Sequence, residues 1–318
     1  MPAPLRENQY ELLPVDFAGE GLVFGTEETG YLTITRPLHS GGESVTGDTS
    51  RPGEDGIMFA RDYYGGKTVS FELGVLTDVN NRGLDSPPAS ASEAHRANLD
   101  YLDALEGWWK DPQWRATANS MAMLRAKEAS GEVYRAYGRP RRYDEAVGSL
   151  TRHGYTPVAC DFQLIDTRWY SDTEYSASIS LMVPPDGGLI APLIAPLTTL
   201  REVQNIVSID VGGKIGTWMV VEIVGPVQRP SVTIGDATYT LDLNIEAGDK
   251  VVIDPRPWAR TVLRSSDGAS VSGALTRESP LMSRMLVTPG HHTIQFRGLD
   301  STGTARANLR WRIARSRP

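Results

Sequence analysis

"VACDFQLIDTRWYS", residues 158–171, alternates Cys160, Phe162, Leu164 and Asp166 against Asp161, Gln163, Ile165 and Thr167. One side is mostly apolar and the other mostly polar, the period of two that a half-buried strand requires. The pattern recurs upstream. "KTVSFELGVLT" (67–77) places Val69, Phe71, Leu73 and Val75 on one face, and "GYLTITRP" (30–37) alternates Tyr31, Thr33 and Thr35 with Leu32 and Ile34. Immediately before the opening stretch, "MAMLRAKEASGEVYRAYGRPRRY" (121–143) predicts two strands turning at Ser130 and Gly131. These segments predict a mainly β chain.

One helix interrupts them. "SASEAHRANLDYLDALEGWW" (90–109) opens with Ser90 and Glu93 at capping-box spacing. Leu102, Leu105 and Trp109 follow on one helical face, with Leu99 and Trp108 placed close to it. "DPQW" offers a second helical start, Asp111 as N-cap and Pro112 as first residue. Between the early strands, "LHSGGESVTGDTSRPGEDG" (38–56) is rich in Gly, Ser and acid and predicts a long exposed loop or arm.

"VPPDGGLIAPLIAPL" (183–197) concentrates Pro and Gly, and it divides the chain into an expected domain 1–182, a linker 183–197 and a domain 198–318. The rest is short strands: "WMVVEIVG", "PSVTIG", "ATYTLDLNI", "DKVVIDP", "HHTIQFRG" and "ANLRWRIA", the last with Leu309, Trp311 and Ile313 on one face. Strands this short, spaced by turns, predict a β-sandwich or jelly roll. "GGKIGT" (212–217) lacks the order of a phosphate loop and is expected to be a hairpin turn.

Net charge is −7 over 318 residues and unevenly spread. Residues 1–180 hold 17 basic and 27 acidic side chains, a balance of −10, while 181–318 carry +3. An acidic half is a poor partner for duplex DNA, whose affinity comes from cations neutralising phosphates. The single cysteine, Cys160, excludes an internal disulfide framework. His39, His95, His153, His291 and His292 form no metal-ligand spacing, and no nucleophile elbow occurs. No cofactor or metal is expected. Paired carboxylates such as Asp161 and Asp166 leave a polysaccharide hydrolase as a reading that spacing alone does not select. Trp258, beside two prolines, could offer a stacking surface to a glycan. The opening "MPAPLRENQYELLP" has no apolar signal segment, and "GLIAPLIAPL" is interrupted by Pro192 and Pro196. The expectation is a soluble chain made in the cytoplasm.

The most unusual stretch is "VYRAYGRPRRY" (133–143), where Arg135, Arg139, Arg141 and Arg142 interleave with Tyr134, Tyr137 and Tyr143. Basic and aromatic side chains together suit a single-stranded nucleic-acid platform. They equally suit a protein–protein interface, where Tyr and Arg are enriched and Arg meets carboxylates bidentately. An ordinary solvated strand is the third reading.

The succession of these pieces resembles the distal tail proteins of long-tailed, non-contractile phages. An early strand pair, a helix ending in Trp108 and Trp109, a hairpin ending "YGRPRRY" and the strand "VACDFQLIDTRWYS" follow that family's N-terminal order. "GPVQRPSVTI", "LNIEAGDKVVID" and "SPLMSRMLVTPGHHTIQF" are similar to its C-terminal order. The resemblance implies a tail-tube-like split β-barrel with a flanking helix, followed by a galectin-like β-sandwich. It implies a non-enzymatic virion protein at the tail tip whose six copies close a ring. That ring would join the tail tube protein to the tail-tip hub or tail-associated protein and conduct DNA. The tape measure protein and a host-surface glycan are further partners it suggests, with no specific nucleic-acid binding. A carbohydrate- or receptor-binding tail protein acting through the C-terminal sandwich is the alternative. Under the ring reading Tyr134, Arg135, Tyr137, Arg139, Arg141 and Arg142 are the candidate assembly residues, and Trp258 the candidate glycan contact. The 39–56 loop and the 111–132 region depart from the family's pattern.

Overall fold

The computed structural model describes residues 4–15, 21–42, 44–77, 88–118, 120–128, 131–181, 205–300 and 302–318. The chain divides into two compact units, one comprising Met1–Asp172 with Arg315–Pro318, the other Thr173–Ala314.

The first unit is a curled antiparallel sheet with, among the described residues, one α-helix. Its strands are β1 (Gln9–Pro14), β2 (Leu22–Phe24), β3 (Tyr31–Thr33), β4 (Leu38–His39), β5 (Ser44–Val45), β6 (Thr49–Ser50), β7 (Ile57–Met58), β8 (Tyr63–Tyr64), β9 (Thr68–Leu76), β10 (Ala122–Lys127), β11 (Val133–Glu145), β12 (Tyr155–Leu164) and β13 (Trp169–Ser171). The main path runs β2-β1-β10-β11-β12-β9-β3. Its two ends meet where Gly25 N–H donates to the Tyr31 carbonyl at 2.7 Å and Gly25 bridges Leu32, so the sheet nearly closes into a barrel. Closure removes most of the exposed edge that an open sheet would present. Gly25 is required there: its φ is +125°, and an added Cβ would lie 2.2 Å from the Asn8 carbonyl oxygen.

The period-two reading of the central strands holds. Val69, Phe71, Leu73 and Val75 of β9 are buried, as are Cys160, Phe162 and Leu164 of β12 and Asp166 just beyond it. The pair β10–β11 is antiparallel, although residues 129 and 130 of its turn lie outside the described residues. The helix α1 (Ala91–Trp109) starts at Ser90, whose Oγ accepts from Glu93 N–H. The Glu93 carboxylate reaches back to Ala89 N–H. Leu102, Leu105 and Trp109 enter the barrel core, whereas Leu99 is 40 % exposed and off that face. Trp109 packs edge-on against Phe24 and Phe71, the arrangement that the ring quadrupoles favour. Asn98, wholly buried, donates to the Val75 carbonyl and accepts from Thr156 Oγ1. It thus anchors the helix to β9 and β12.

The predicted loop 38–56 is structured at its start, where β4 pairs with β9, and then becomes an exposed arm. β5 pairs with β8 and β6 with β7, forming two short ladders.

The second unit holds β14 (Tyr175–Ser180), β15 (Ile206–Val211), β16 (Thr217–Val224), β17 (Val227–Ile234), β18 (Ala237–Thr240), β19 (Asn244–Ile245), β20 (Lys250–Asp254), β21 (Thr261–Arg264), β22 (Leu286–Val287), β23 (Gly290–Leu299) and β24 (Arg306–Trp311). One sheet runs β14-β24-β16-β20-β21 and the other β15-β23-β17-β18. The apolar residues of both, including Val221, Ile223, Leu309, Val232, Ile294 and Phe296, share one core. That is the expected sandwich.

Two expectations need correction. β14 precedes the expected 183–197 linker yet pairs with β24, so the division falls after Asp172 rather than 182; the linker itself lies outside the described residues. Unit membership follows strand pairing, and composition does not report pairing. "GGKIGT" is not a hairpin turn, because β15 and β16 belong to different sheets. It carries the chain from one layer to the other.

Replacing Trp109 by Ala removes the ring that the helix inserts beside Phe24 and Phe71. Such truncations cost about 3–5 kcal/mol, so the urea midpoint of the first unit should drop accordingly. Leu99→Ala, at an exposed position, should leave it nearly unchanged.

Candidate assembly interface

The arginine–tyrosine stretch forms β11, and period two decides what each side chain meets. Tyr134, Ala136 and Tyr143 belong to the barrel core. Tyr134 also hydrogen-bonds Glu132 and lies under the Arg315 guanidinium, 4.8 Å from its ring centroid. Tyr137 is buried on the other face, its ring 6.0 Å from that of Tyr170. Neither tyrosine is on the surface.

Arg135 is committed inside the unit as well. Register places Glu11 of β1 opposite Arg125 of β10, and Arg125 opposite Arg135 of β11. Asp172 completes the row. Arg125 pairs with Glu11 and donates Nη2 to Asp172 at 3.0 Å, and Arg135 Nε donates to the same carboxylate at 2.9 Å. Glu11 is wholly buried and Arg125 is 5 % exposed. A carboxylate taken this far from water is tolerable only when paired and hydrogen-bonded. Burial favours protonation of Asp172, but the hydrogen bond from Arg125 and the charge and hydrogen bond of Arg135 outweigh it. They hold its carboxyl below the usual range.

Arg139, Arg141 and Arg142 lie further along β11. Arg139 donates Nε to the Ser120 carbonyl at 2.6 Å and Nη2 to the Thr117 carbonyl at 2.9 Å. Arg141 is exposed and donates to Gln163 Oε1 at 2.8 Å. Arg142 is exposed and pairs with Asp144. Between Ala118, Ser120 and Met121, β11 and the end of β12 lies a cavity of about 350 Å³, lined by Met121, Leu164 and Ile165 with Arg139, Arg141 and Gln163. Gly138 lies on its floor, where an added Cβ would stand 2.1 Å from the Gln163 carbonyl oxygen. So of six candidate residues, Tyr134 faces the barrel core, while Arg135 and Tyr137 lie on the opposite face of the sheet, covered by Asp172 and Tyr170. Arg141 and Arg142 are exposed and Arg139 is half-buried. Sequence reasoning missed Glu11, Asp172, Met121 and Ile165; nothing in "NQYELLP" marks a buried carboxylate.

In the second unit Trp258 is half-buried, with the Arg256 guanidinium 5.4 Å from its ring centroid. Arg256 is itself held by Asp254, whose carboxylate accepts from its Nε and Nη2. One side of the indole is therefore already occupied. Cys160 is buried, and desolvation, with the charges of Asp161 and Asp144, pushes its thiol far up. It is an inert core residue. Among the described residues no group of three His, Cys, Asp or Glu side chains could hold a metal.

The chain matches no family model and no curated protein sequence. Its fold does have counterparts. The Dit protein of phage SPP1, described as a paradigm of the hub adsorption apparatus in phages infecting Gram-positive hosts, matches with a TM-score of 0.56. Identity is 11 %, over 96 % of this chain and 99 % of that one. A chain of the phage P2 baseplate, in its activated conformation with Ca, matches with a TM-score of 0.50 and 12 % identity, covering 97 % of this chain and 98 % of that one. The chain thus has a Dit-like fold: mainly β, with one α-helix among the described residues, a nearly closed barrel-like sheet and a second β unit.

Arg125→Met removes the guanidinium that neutralises the buried Glu11 carboxylate, and should cost about 3–5 kcal/mol in urea unfolding. Adding Glu11→Leu should recover most of that loss, because an apolar pair needs no compensation. A depressed carboxyl pKa contributes stability that is fully present above the unfolded value near ~4 and is lost as pH falls through the folded one. Unfolding midpoints measured on acidification below pH ~4 should therefore fall, and Asp172→Asn should be less stable at neutral pH with a flatter acid limb.

Proposed function

We propose that this chain is a structural protein of a phage tail, six copies of which close a ring at the distal end of the tail tube. The observation that carries this reading is the Dit-like fold matched over nearly the whole length of both chains, with neither unit left unaccounted for. The ring would join the tube to the tail-tip hub and leave a passage for DNA. Its neighbours would be the tail tube protein, the hub or tail-associated protein and the tape measure protein. The chain would act in the virion without catalysis, after synthesis in the host cytoplasm.

Charge supports the passage. A lumen lined by cations would bind phosphate and hold the genome, whereas carboxylates repel the backbone and keep it moving. The −10 balance of residues 1–180 supplies those acids. Within the barrel unit, Arg125 and Arg135 are neutralised internally by Glu11 and Asp172, which removes two cations from any channel surface.

Native mass spectrometry of the full chain, alone or recovered from tails, tests the stoichiometry. Six copies are expected. Three or twelve in the assembled tail would overturn the ring.

A further inference from the structure

The arm 44–64 is built to be covered. Every residue of β5, β6, β7 and β8 is exposed. Val45, Ile57, Met58, Phe59, Tyr63 and Tyr64 are all open to water, Phe59 at 87 % and Tyr64 at 73 %. A two-stranded ribbon solvated on both faces is marginal by itself. A concentration of large apolar side chains on such a ribbon marks a contact surface. The arm is also acidic, with Asp48, Glu54, Asp55 and Asp62 against Arg51 and Arg61.

The cavity beside β11 has the opposite character. Met121, Leu164 and Ile165 give it apolar walls, and Arg139 and Arg141 give it a basic rim. Both guanidiniums bond only to neutral acceptors, and among the described residues neither is paired with a carboxylate. The arm of the same chain does not fill this groove, since its apolar side chains are exposed. Yet the arm springs from the groove's edge, where Leu164 N–H donates to the Lys67 carbonyl at 2.8 Å. At ~3.3 Å per residue, the stretch from Lys67 to Phe59 spans about 25 Å, enough to reach a neighbour packed alongside.

We propose that the arm of one copy docks in the Met121–Ile165 groove of a second copy. Ile57, Met58 and Phe59 would enter between the apolar walls while the arm's carboxylates meet Arg139 and Arg141. Arm and groove are different surfaces of one chain, so the contact is head-to-tail. Such a contact repeats from copy to copy and either closes into a ring or grows as a filament. The proposal deepens the ring reading, and it rests on that reading only for the number at which the contacts close.

Cross-linking the full chain tests it. In Ala60→Cys/Ala118→Cys, both new thiols are exposed, one at the arm and one at the groove. A short bismaleimide should join copies into dimers and higher multiples that neither single variant forms beyond symmetric dimers. Arg141→Glu, an exposed substitution that leaves the fold intact by circular dichroism, should reduce the linked fraction at least tenfold. Adding Asp55→Lys and Asp62→Lys should restore part of it. Absence of linked multiples, or linkage indifferent to both charge reversals, would overturn the docking. A six-copy assembly without arm–groove linkage would sink the docking and leave the ring standing. Linked multiples that never close at six would do the reverse. Capture of DNA or another protein by the groove, with copies unlinked, would also overturn it.

Discussion

A buried row of charge holds the first unit in register. Glu11, Arg125 and Arg135 stand side by side on three adjacent strands, and Asp172 bridges the two arginines. Slipping β10 by one residue would turn Arg125 into the barrel core and pull Leu124 out of it, because side chains alternate faces along a strand. Hydrophobic burial would tolerate several registers of similar apolar content. A carboxylate this far from water needs a cation beside it, and this register supplies Arg125. With that register set, Tyr134 points inward, Gly138 lies against Gln163, and Arg139 and Arg141 come to rim one groove.

The row also explains what the sequence concealed. β9, β12 and the helix were legible because each has one wet and one dry face, and period then reports burial directly. β1 is buried nearly throughout and carries a glutamate in its middle, so it shows no alternation at all. Tyr134 and Tyr137 read as interface residues because tyrosine suits an interface and an interior alike. Composition cannot choose between them; neighbouring strands do. β14 escaped for a related reason, since only Ile179 of its six residues is buried and its partner β24 lies more than a hundred residues away.

A barrel of this kind asks little of sequence identity. It needs alternating strands, a glycine or two where backbones crowd, and an aromatic helix face to fill the end. Many sequences meet those terms, which is how a match over 96 % of the chain coexists with 11 % identity. What such a fold does is then decided on its surface. Here the surface offers an acidic, apolar arm and a basic, apolar groove on the same unit, the two surfaces that the proposed docking would join.

The measurement that bears most directly on a DNA-conducting ring is a cryo-electron microscopy map of the assembled protein at side-chain resolution. A sixfold ring is expected, with an open channel whose lining carries more Asp and Glu than Lys and Arg. A closed assembly with no channel, or a channel lined by net positive charge, would contradict it.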